Sequence, residues 1–494
     1  MQKRLTRILT VLCLCALLLS GCGAQETPSN SSPLDRENPV TVTLWNYYSG
    51  DLLTSFNALV DEFNATAGKE LGVRVESYSQ GDVNDLAKMV EDAVSGAANA
   101  EKTPNIFSAY ADTAYAVDQM DALVDLSDYL TEEEIASYVD GYIDEGRFGE
   151  GVKIFPIAKS VEVLILNKTE WDKFAAATGA SYDDLSTVES LTAAAEAYYN
   201  WTDSLTDTPN DGKALFGRDS VANYLLAGAM QLGTEILSAS NGSVTLDFDH
   251  DTVRKLWDNF YVPLVKGCFD SQGRFRSDGM KTGTLIAYVG SSSGATFIPT
   301  SVAVSDTELA PIEVDVLPCP KFAGGRDYAT QQGAGMVVTK GSDAEVLGSI
   351  EFLKWFTQAQ RNTAYSVVSG YLPVTKEANS AEALKAVDAD ISPLQRQVLE
   401  VAMDTVRGNQ LYTPHAFANA SAVRSVLEYG LKDLAAADRA TVEERLAQGM
   451  SLPEAAAEFL SDDYFEAWYA DTLAQLQALC GCAVIPEVKG GKHL

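Results

Sequence analysis

Between residues 40 and 110 the chain alternates strand-type and helix-type patterning, and no other feature restricts the fold as much. Val40 to Trp45 (VTVTLW) is rich in β-branched residues and predicts a strand. Leu52, Phe56, Leu59, Val60 and Phe63 then fall on one helical face. Gly72 to Tyr78 (GVRVESY) predicts a second strand. Leu86, Met89, Val90 and Val94 mark a second helix, and Pro104 to Tyr110 (PNIFSAY) a third strand. Strands separated by helices pair in parallel, with each helix crossing over the sheet. The expected class is therefore α/β.

The later chain is less regular. Val161 to Leu166 (VEVLIL), Leu285 to Val289, Ile312 to Leu317 and Met336 to Val338 predict strands. Helical faces run over Trp171 to Ala177 and Val188 to Tyr199. Further apolar stripes are Val253, Leu256, Trp257, Phe260 and Leu264, then Val346, Ile350, Leu353 and Phe356. Asn241-Gly242 predicts a turn. From about Ser392 the pattern is mostly helical and Ala-rich. No repeat of solenoid period occurs. With 494 residues there is room for two or three domains, and 46% hydrophobic residues imply a packed core.

The N-terminus carries an address. Lys3, Arg4 and Arg7 precede an apolar run from Ile8 to Leu19, followed by Ser20, Gly21 and Cys22. A basic leader, a short apolar core and small residues describe a secretory signal, 1–21. The run is too short to span a bilayer, which takes ~20 apolar residues. Leu19-Ser20-Gly21-Cys22 resembles the bacterial lipobox, which implies a lipid on Cys22 and a place on the outer face of the cell membrane. Residues 22–38 (Gly23 onward GAQETPSNSSPLDREN) read as a linker able to reach ~50 Å when stretched. The formal net charge of −33 becomes more negative still once the leader leaves. Such a chain repels phosphate backbones and anionic lipid, so nucleic acid is excluded as a partner and charge cannot hold the protein at a membrane. Lasting attachment takes two or more acyl chains. With the leader removed and Cys22 lipidated, Cys268, Cys319, Cys480 and Cys482 remain, free or paired in one of three ways.

In open parallel sheets ligands bind beyond the carboxyl ends of the strands. Past the first strand come Asn46, Tyr47 and Tyr48; at the end of the second, Tyr78 and Gln80; at the end of the third, Tyr110 and Asp112. Aromatic faces beside amides and carboxylates suit a polyhydroxylated ligand, although any one of these tyrosines could equally be a core residue with a paired hydroxyl. Gly290-Ser291-Ser292-Ser293-Gly294 matches the nucleophile elbow of many hydrolases. An elbow must lead into a helix, and Pro299 cuts any helix short here. A triad on Ser292 would have to use His415 as its base. The competing reading is a Gly/Ser loop that grips a ligand. Asp247 to Asp258 fails as a calcium loop, since Thr252 and Asp258 stand where Gly and Glu are needed; an Asp capping the helix that follows is the plainer reading. None of the Gly-Lys pairs continues into the Ser or Thr of a phosphate loop. Neither metal nor cofactor is expected.

Several segments together resemble the extracellular solute-binding proteins of bacterial ABC importers, family 1, which include the maltose and glycerol-3-phosphate binders. They are Val40 to Phe63 (VTVTLWNYYSGDLLTSFNALVDEF), Ser160 to Lys168 (SVEVLILNK), Val244 to Gly267 (VTLDFDHDTVRKLWDNFYVPLVKG), Gly333 to Lys340 (GAGMVVTK) and Ser369 to Lys376 (SGYLPVTK). Leu166 stands where the family usually has a tyrosine. The resemblance runs from about Val40 to Tyr429 and is weak in the helical C-terminal part. It implies a type II periplasmic-binding-protein fold: two Rossmann-like lobes, a multi-crossing hinge and a solute in the cleft. Lobe one would hold 39–161 and 335–372, and lobe two 162–334 and 373–490, with crossings near Val161, Gly333 and Leu372. Tyr47, Tyr48, Ser160, Ser292, Ser293, Gly333 and Tyr371 would touch the solute. The glycerol-3-phosphate binders carry an arginine near the C-terminal helices. Pro414 to Asn419 has none, so a phosphate would have to be met by Arg218 or Lys159. The implied protein is a monomeric, membrane-tethered receptor that hands a carbohydrate to the importer's permease by hinge closure. The alternatives are a phosphodiester binder of the same fold, a serine hydrolase using Ser292, and a binding lipoprotein that serves a sensor or the cell wall.

Overall fold

A computed structural model describes residues 32–240, 243–305, 307–387 and 391–481. The leader, Cys22, the Asn241-Gly242 turn and Cys482 lie outside the described residues. Two main sheets are built from β1 (Val40–Asn46), β2 (Val73–Ser79), β3 (Ile106–Ala109), β4 (Ser160–Asn167), β5 (Phe216–Arg218), β6 (Ala287–Ser291), β7 (Val314–Pro318), β8 (Tyr328–Gln332), β9 (Gly335–Val338) and β10 (Gln410–Tyr412). The helices that matter for the site are α1 (Gly50–Ala65), α2 (Val83–Ser95), α3 (Val221–Leu232), α4 (Ala359–Ser369), α5 (Pro393–Gly408), α6 (Ala420–Ala447) and α7 (Asp462–Cys480).

The first sheet has the order β9-β3-β1-β2. β1 runs parallel to β2 from Val40↔Val73 to Asn46↔Ser79, and parallel to β3 at Leu44↔Ile106 and Trp45↔Phe107. Period-two alternation sends Val42 and Leu44 to one core, with Phe56, Val60 and Phe63 of α1. It sends Trp45 to the opposite face, with Leu86 and Val90 of α2. Asp82 caps α2 and Asp85 closes a capping box with it.

The second sheet centres on β4, which is buried at every residue. Val161, Val163 and Ile165 face one core, while Leu164 and Leu166 face the other. Burial on both faces is why Val161 to Leu166 is apolar at every position but Glu162. β4 pairs with β6 along one edge. Along the other edge it has two partners: β7 from Asn167 to Val163, then β8 at Val161 and Ser160. The sheet forks at Glu162. α3 packs on this sheet, α6 on α3 and α7 on α6, and all three belong to its core.

The two sheets are joined where the chain passes Phe155, paired with Met336, and Lys159, paired with Leu372. It returns through Gly333, between β8 and β9. The third passage lies later than the expected boundary at 372. The Val139 N–H donates to Val374 O at 3.0 Å and the Lys376 N–H to Ser137 O at 2.9 Å. The helix Ala381–Ala386 packs on α4. These pairings hold residues 373–387 with the first sheet, and α5 is the first element to pack on the second. The stripe from Val253 to Leu264 also differs from expectation. It forms two helices, His250–Asp258 and Tyr261–Val265, because Pro263 has no N–H to give to a continuous helix. Asp249 caps the first of them, accepting from the Thr252 N–H at 2.8 Å.

Candidate functional site

A cavity of ≈ 520 Å³ lies between the two sheets, beyond their strand ends. The first lobe contributes Tyr110 and Asp112, from the end of β3 and the start of the helix Ala111–Asp118. The crossings contribute Ser160 and Gly333, and the segment after α4 contributes Tyr371. The second lobe contributes Ser291, Ser293, Gln331, Gln332, Tyr412 and Arg424.

Local folding places each group. Ser291 Oγ donates to Ser160 Oγ at 3.0 Å and meets Ser293 Oγ at 2.8 Å, which ties the Gly/Ser loop to the start of β4. Gly370, at φ +75°, turns the chain so that Tyr371 faces this loop; a Cβ there would lie 3.1 Å from Ser293 O. The Tyr47 hydroxyl lies beside those of Tyr110 and Tyr371, and that of Tyr371 beside Ser293. Burial pushes all three phenols up, Tyr110 to about 12. They remain neutral O–H groups at any physiological pH.

Two glutamine acceptors in the cavity wall are unsatisfied. Gln331 Nε2 donates to Thr413 Oγ1, and its Oε1, like Gln332 Oε1, is buried without a partner. Unpaired buried acceptors are costly, ~1–3 kcal/mol each. Arg424 lies at the start of α6. Its Nη2 donates to Asn223 Oδ1 at 2.8 Å and to Ser220 Oγ at 3.3 Å. It forms no ion pair among the described residues.

Beneath the cavity floor, Lys159 ties the crossings together. It is fully buried; its Nζ pairs with Glu145 and donates to Gly333 O at 2.6 Å. Its backbone exchanges hydrogen bonds with Leu372 at 3.1 and 2.5 Å. Glu145 itself opens onto the cavity.

The expected site residues separate into two groups. Tyr110, Asp112, Ser160, Ser293, Gly333 and Tyr371 line the cavity, and Tyr47 lies beside two of them. The others lie elsewhere. Tyr48 is buried in the core against Phe56, with ring centroids 5.1 Å apart. Tyr78 is exposed on the edge strand and donates to Glu76. Gln80 sits beside it, its N–H bonded to Asn46 O. Arg218 lines a separate cavity of ≈ 230 Å³ at the sheet fork, over the Tyr224 ring at 4.6 Å. Ser292 is fully buried, and its Oγ accepts from the Val161 N–H at 3.3 Å. A hydroxyl enclosed in that way is no nucleophile. His415 makes its side-chain hydrogen bond with Glu235 at 3.0 Å and none with Ser292, and the strand leads into a six-residue 3-10 turn rather than an elbow helix. The triad reading fails on all three counts.

Gln331, Gln332, Tyr412, Glu145 and Arg424 were not singled out from the sequence. Gln331 and Gln332 immediately precede the Gly-rich crossing and could have been read with it. Arg424 lies only five residues past Pro414 to Asn419, one turn into a helix whose start the pattern left open. Cys268 and Cys319 are free thiols, each pushed up to about 12 by burial. Among the described residues no group of three or more His, Cys, Asp or Glu could hold a metal, and no helix is long and apolar enough to cross a membrane.

The family model described as "Bacterial extracellular solute-binding protein" matches residues 58–390. The chain matches none of the curated proteins. Among solved structures it is similar to the cyclic alpha-maltosyl-1,6-maltose binding protein of Arthrobacter globiformis, with TM-score 0.66 and 17% identity over 90% of this chain and 99% of that one. UgpB of Mycobacterium tuberculosis, in complex with glycerophosphocholine, gives TM-score 0.63 and 17% identity over 90% and 99%. The galacto-N-biose/lacto-N-biose I-binding protein of Bifidobacterium longum, in complex with lacto-N-biose, gives 0.62 and 17% over 91% and 99%. At these identities the likeness establishes the two-lobed α/β fold.

Proposed function

The chain belongs to the bacterial extracellular solute-binding proteins, and from that premise we propose that it is a membrane-tethered, non-enzymatic receptor delivering a carbohydrate to an ABC importer. One observation carries the choice of solute: the amides of Gln331 and Gln332 and the carboxylate of Asp112 share the interlobe cavity with Tyr110 and Tyr371. Amides and carboxylates hydrogen-bond the hydroxyls of a hydroxyl-rich ligand, and its apolar ring faces lie on the phenols. Sugars are also what the Arthrobacter and Bifidobacterium proteins bind, by name. The lobes close on the solute because only the closed form contacts it from both sides, and the permease reads that form. Lipid on Cys22 keeps this acidic monomer at the outer face of the membrane.

A sugar panel tests the proposal by thermal unfolding. A ligand bound only by the native state at about 100 times its Kd adds ~2.7 kcal/mol, so one sugar should raise the melting temperature by several degrees. Silence to every sugar and polyol would reject it. Arg424 favours a second reading, a phosphodiester of the kind seen with UgpB, and glycerophosphocholine in the same panel decides between the two.

A further inference from the structure

Arg424 occupies an unfavourable place for a cation. Its guanidinium abuts the N-terminus of α3, where Ser220 and Asn223 lie, and that end of a helix is positive. It is held there by a chain of groups that runs away from the cavity. Arg424 Nη2 donates to Asn223 Oδ1 at 2.8 Å. Asn223 is 2% exposed, and its Nδ2 donates to Glu162 Oε1 at 3.0 Å. Glu162 is 6% exposed and sits at the sheet fork, two residues along β4 from Ser160 and therefore on the same face. The Arg218 guanidinium, which lines the same cavity at the fork, offsets part of its charge, and Asn223 supplies the hydrogen bond that a buried carboxylate needs.

The order of the three groups leaves Asn223 a single orientation. A carboxylate only accepts and a guanidinium only donates. The amide must turn its NH2 to Glu162 and its oxygen to Arg424; flipped, it would set oxygen against oxygen and N–H against N–H. Glu428, one turn further along α6, accepts from the Ala222 N–H and from Ser220 Oγ, both at 2.9 Å, and satisfies the rest of the helix end. Arg424 Nε and Nη1 make no bond to a described residue and are left for the cavity.

We propose that Glu162 is a positioning residue for solute binding: without touching the solute, it fixes Asn223, and through it holds Arg424 ready to donate to a solute oxygen. This rests on the interlobe cavity being the solute site. Two variants separate positioning from mere packing. Glu162→Met removes the acceptor at similar length, and Glu162→Gln keeps an oxygen for Asn223. The full chain is labelled with 15N-arginine, and the Arg424 side-chain resonance is assigned by its loss in Arg424→Lys. Without any ligand, the resonance should be the same in wild type and the Gln variant and shifted or broadened in the Met variant. Affinity is then measured with maltotriose, lacto-N-biose and glycerophosphocholine as probes. Whichever binds should bind about tenfold more weakly to the Met variant, about 1.4 kcal/mol, and within about twofold to the Gln variant. An unmoved Arg424 resonance in the Met variant, or equal losses in both variants, overturns the proposal. Asn223→Leu cuts the same chain one step later and is read the same way where the Met variant does not fold. If no probe binds the wild type, the solute reading is what fails, and the ligand-free resonance still decides on Glu162.

Discussion

At the scale of single residues, the cavity holds groups that cost the empty protein stability. Gln332 Oε1 is buried and unpaired. Gln332→Leu should therefore stabilise the ligand-free protein by about 1 kcal/mol, read from the urea midpoint, and weaken solute binding about tenfold. Unchanged stability would mean that water already satisfies that oxygen. The tyrosines make a different prediction. Tyr110 ionises near 12 in the folded protein, against ~10 in an unfolded chain. Between those values the folded state holds a proton that the unfolded state has lost. Stability from this group is full below pH ~10 and falls as pH rises toward 12. Unfolding free energy should be insensitive to the phenols up to pH 9 and drop above pH 10, with Tyr110→Phe softening the drop. Which tyrosines face the cavity was only partly legible. Tyr47 and Tyr48 are neighbours in sequence, yet the chain leaves β1 so that one joins the hydroxyl cluster and the other packs on Phe56. No periodic pattern distinguishes them, because periodicity ends with the strand.

At the scale of elements, the crossings carry the mechanics. Lys159, on the first crossing, bonds Gly333 O on the second, and also Leu372 and Glu145 of the first lobe. Removing one partner of a buried ion pair costs ~3–5 kcal/mol. Lys159→Met should destabilise by about that much in chemical denaturation, and adding Glu145→Leu should recover part of the loss. A cost below ~1 kcal/mol for the single variant would show that the pair does not hold the hinge. Gly333→Ala is the finer probe. At φ +100° a Cβ would stand 2.9 Å from Ala158 O, so this change should weaken solute binding by straining the crossing. The main strands were readable because β1 and β2 largely alternate and β4 is apolar from Val161 to Leu166 except at Glu162. The third crossing was not, because residues 373–387 attach to the first sheet by backbone bonds that any side chains could make.

At the scale of the whole molecule, the two sheets, the long helical C-terminal part and the strong negative charge fit one purpose. α6 and α7 thicken the second lobe and bury Phe465, Trp468 and Leu476 against it, so that lobe moves as a unit. It is also α6 that brings Arg424 to the cavity, so under the proposal above the C-terminal part would add to recognition. The family and the α/β class were legible from the motifs at Val40 to Phe63, Gly333 to Lys340 and Ser369 to Lys376. The cavity's second-lobe wall was not, since Gln331, Tyr412 and Arg424 converge from three distant segments. The central claim is that a hydroxylated solute binds between the lobes and closes them. Small-angle scattering with and without the sugar that raises the melting temperature tests it most directly. The radius of gyration should fall with the solute bound; saturated binding with no change in radius would mean that the lobes do not close.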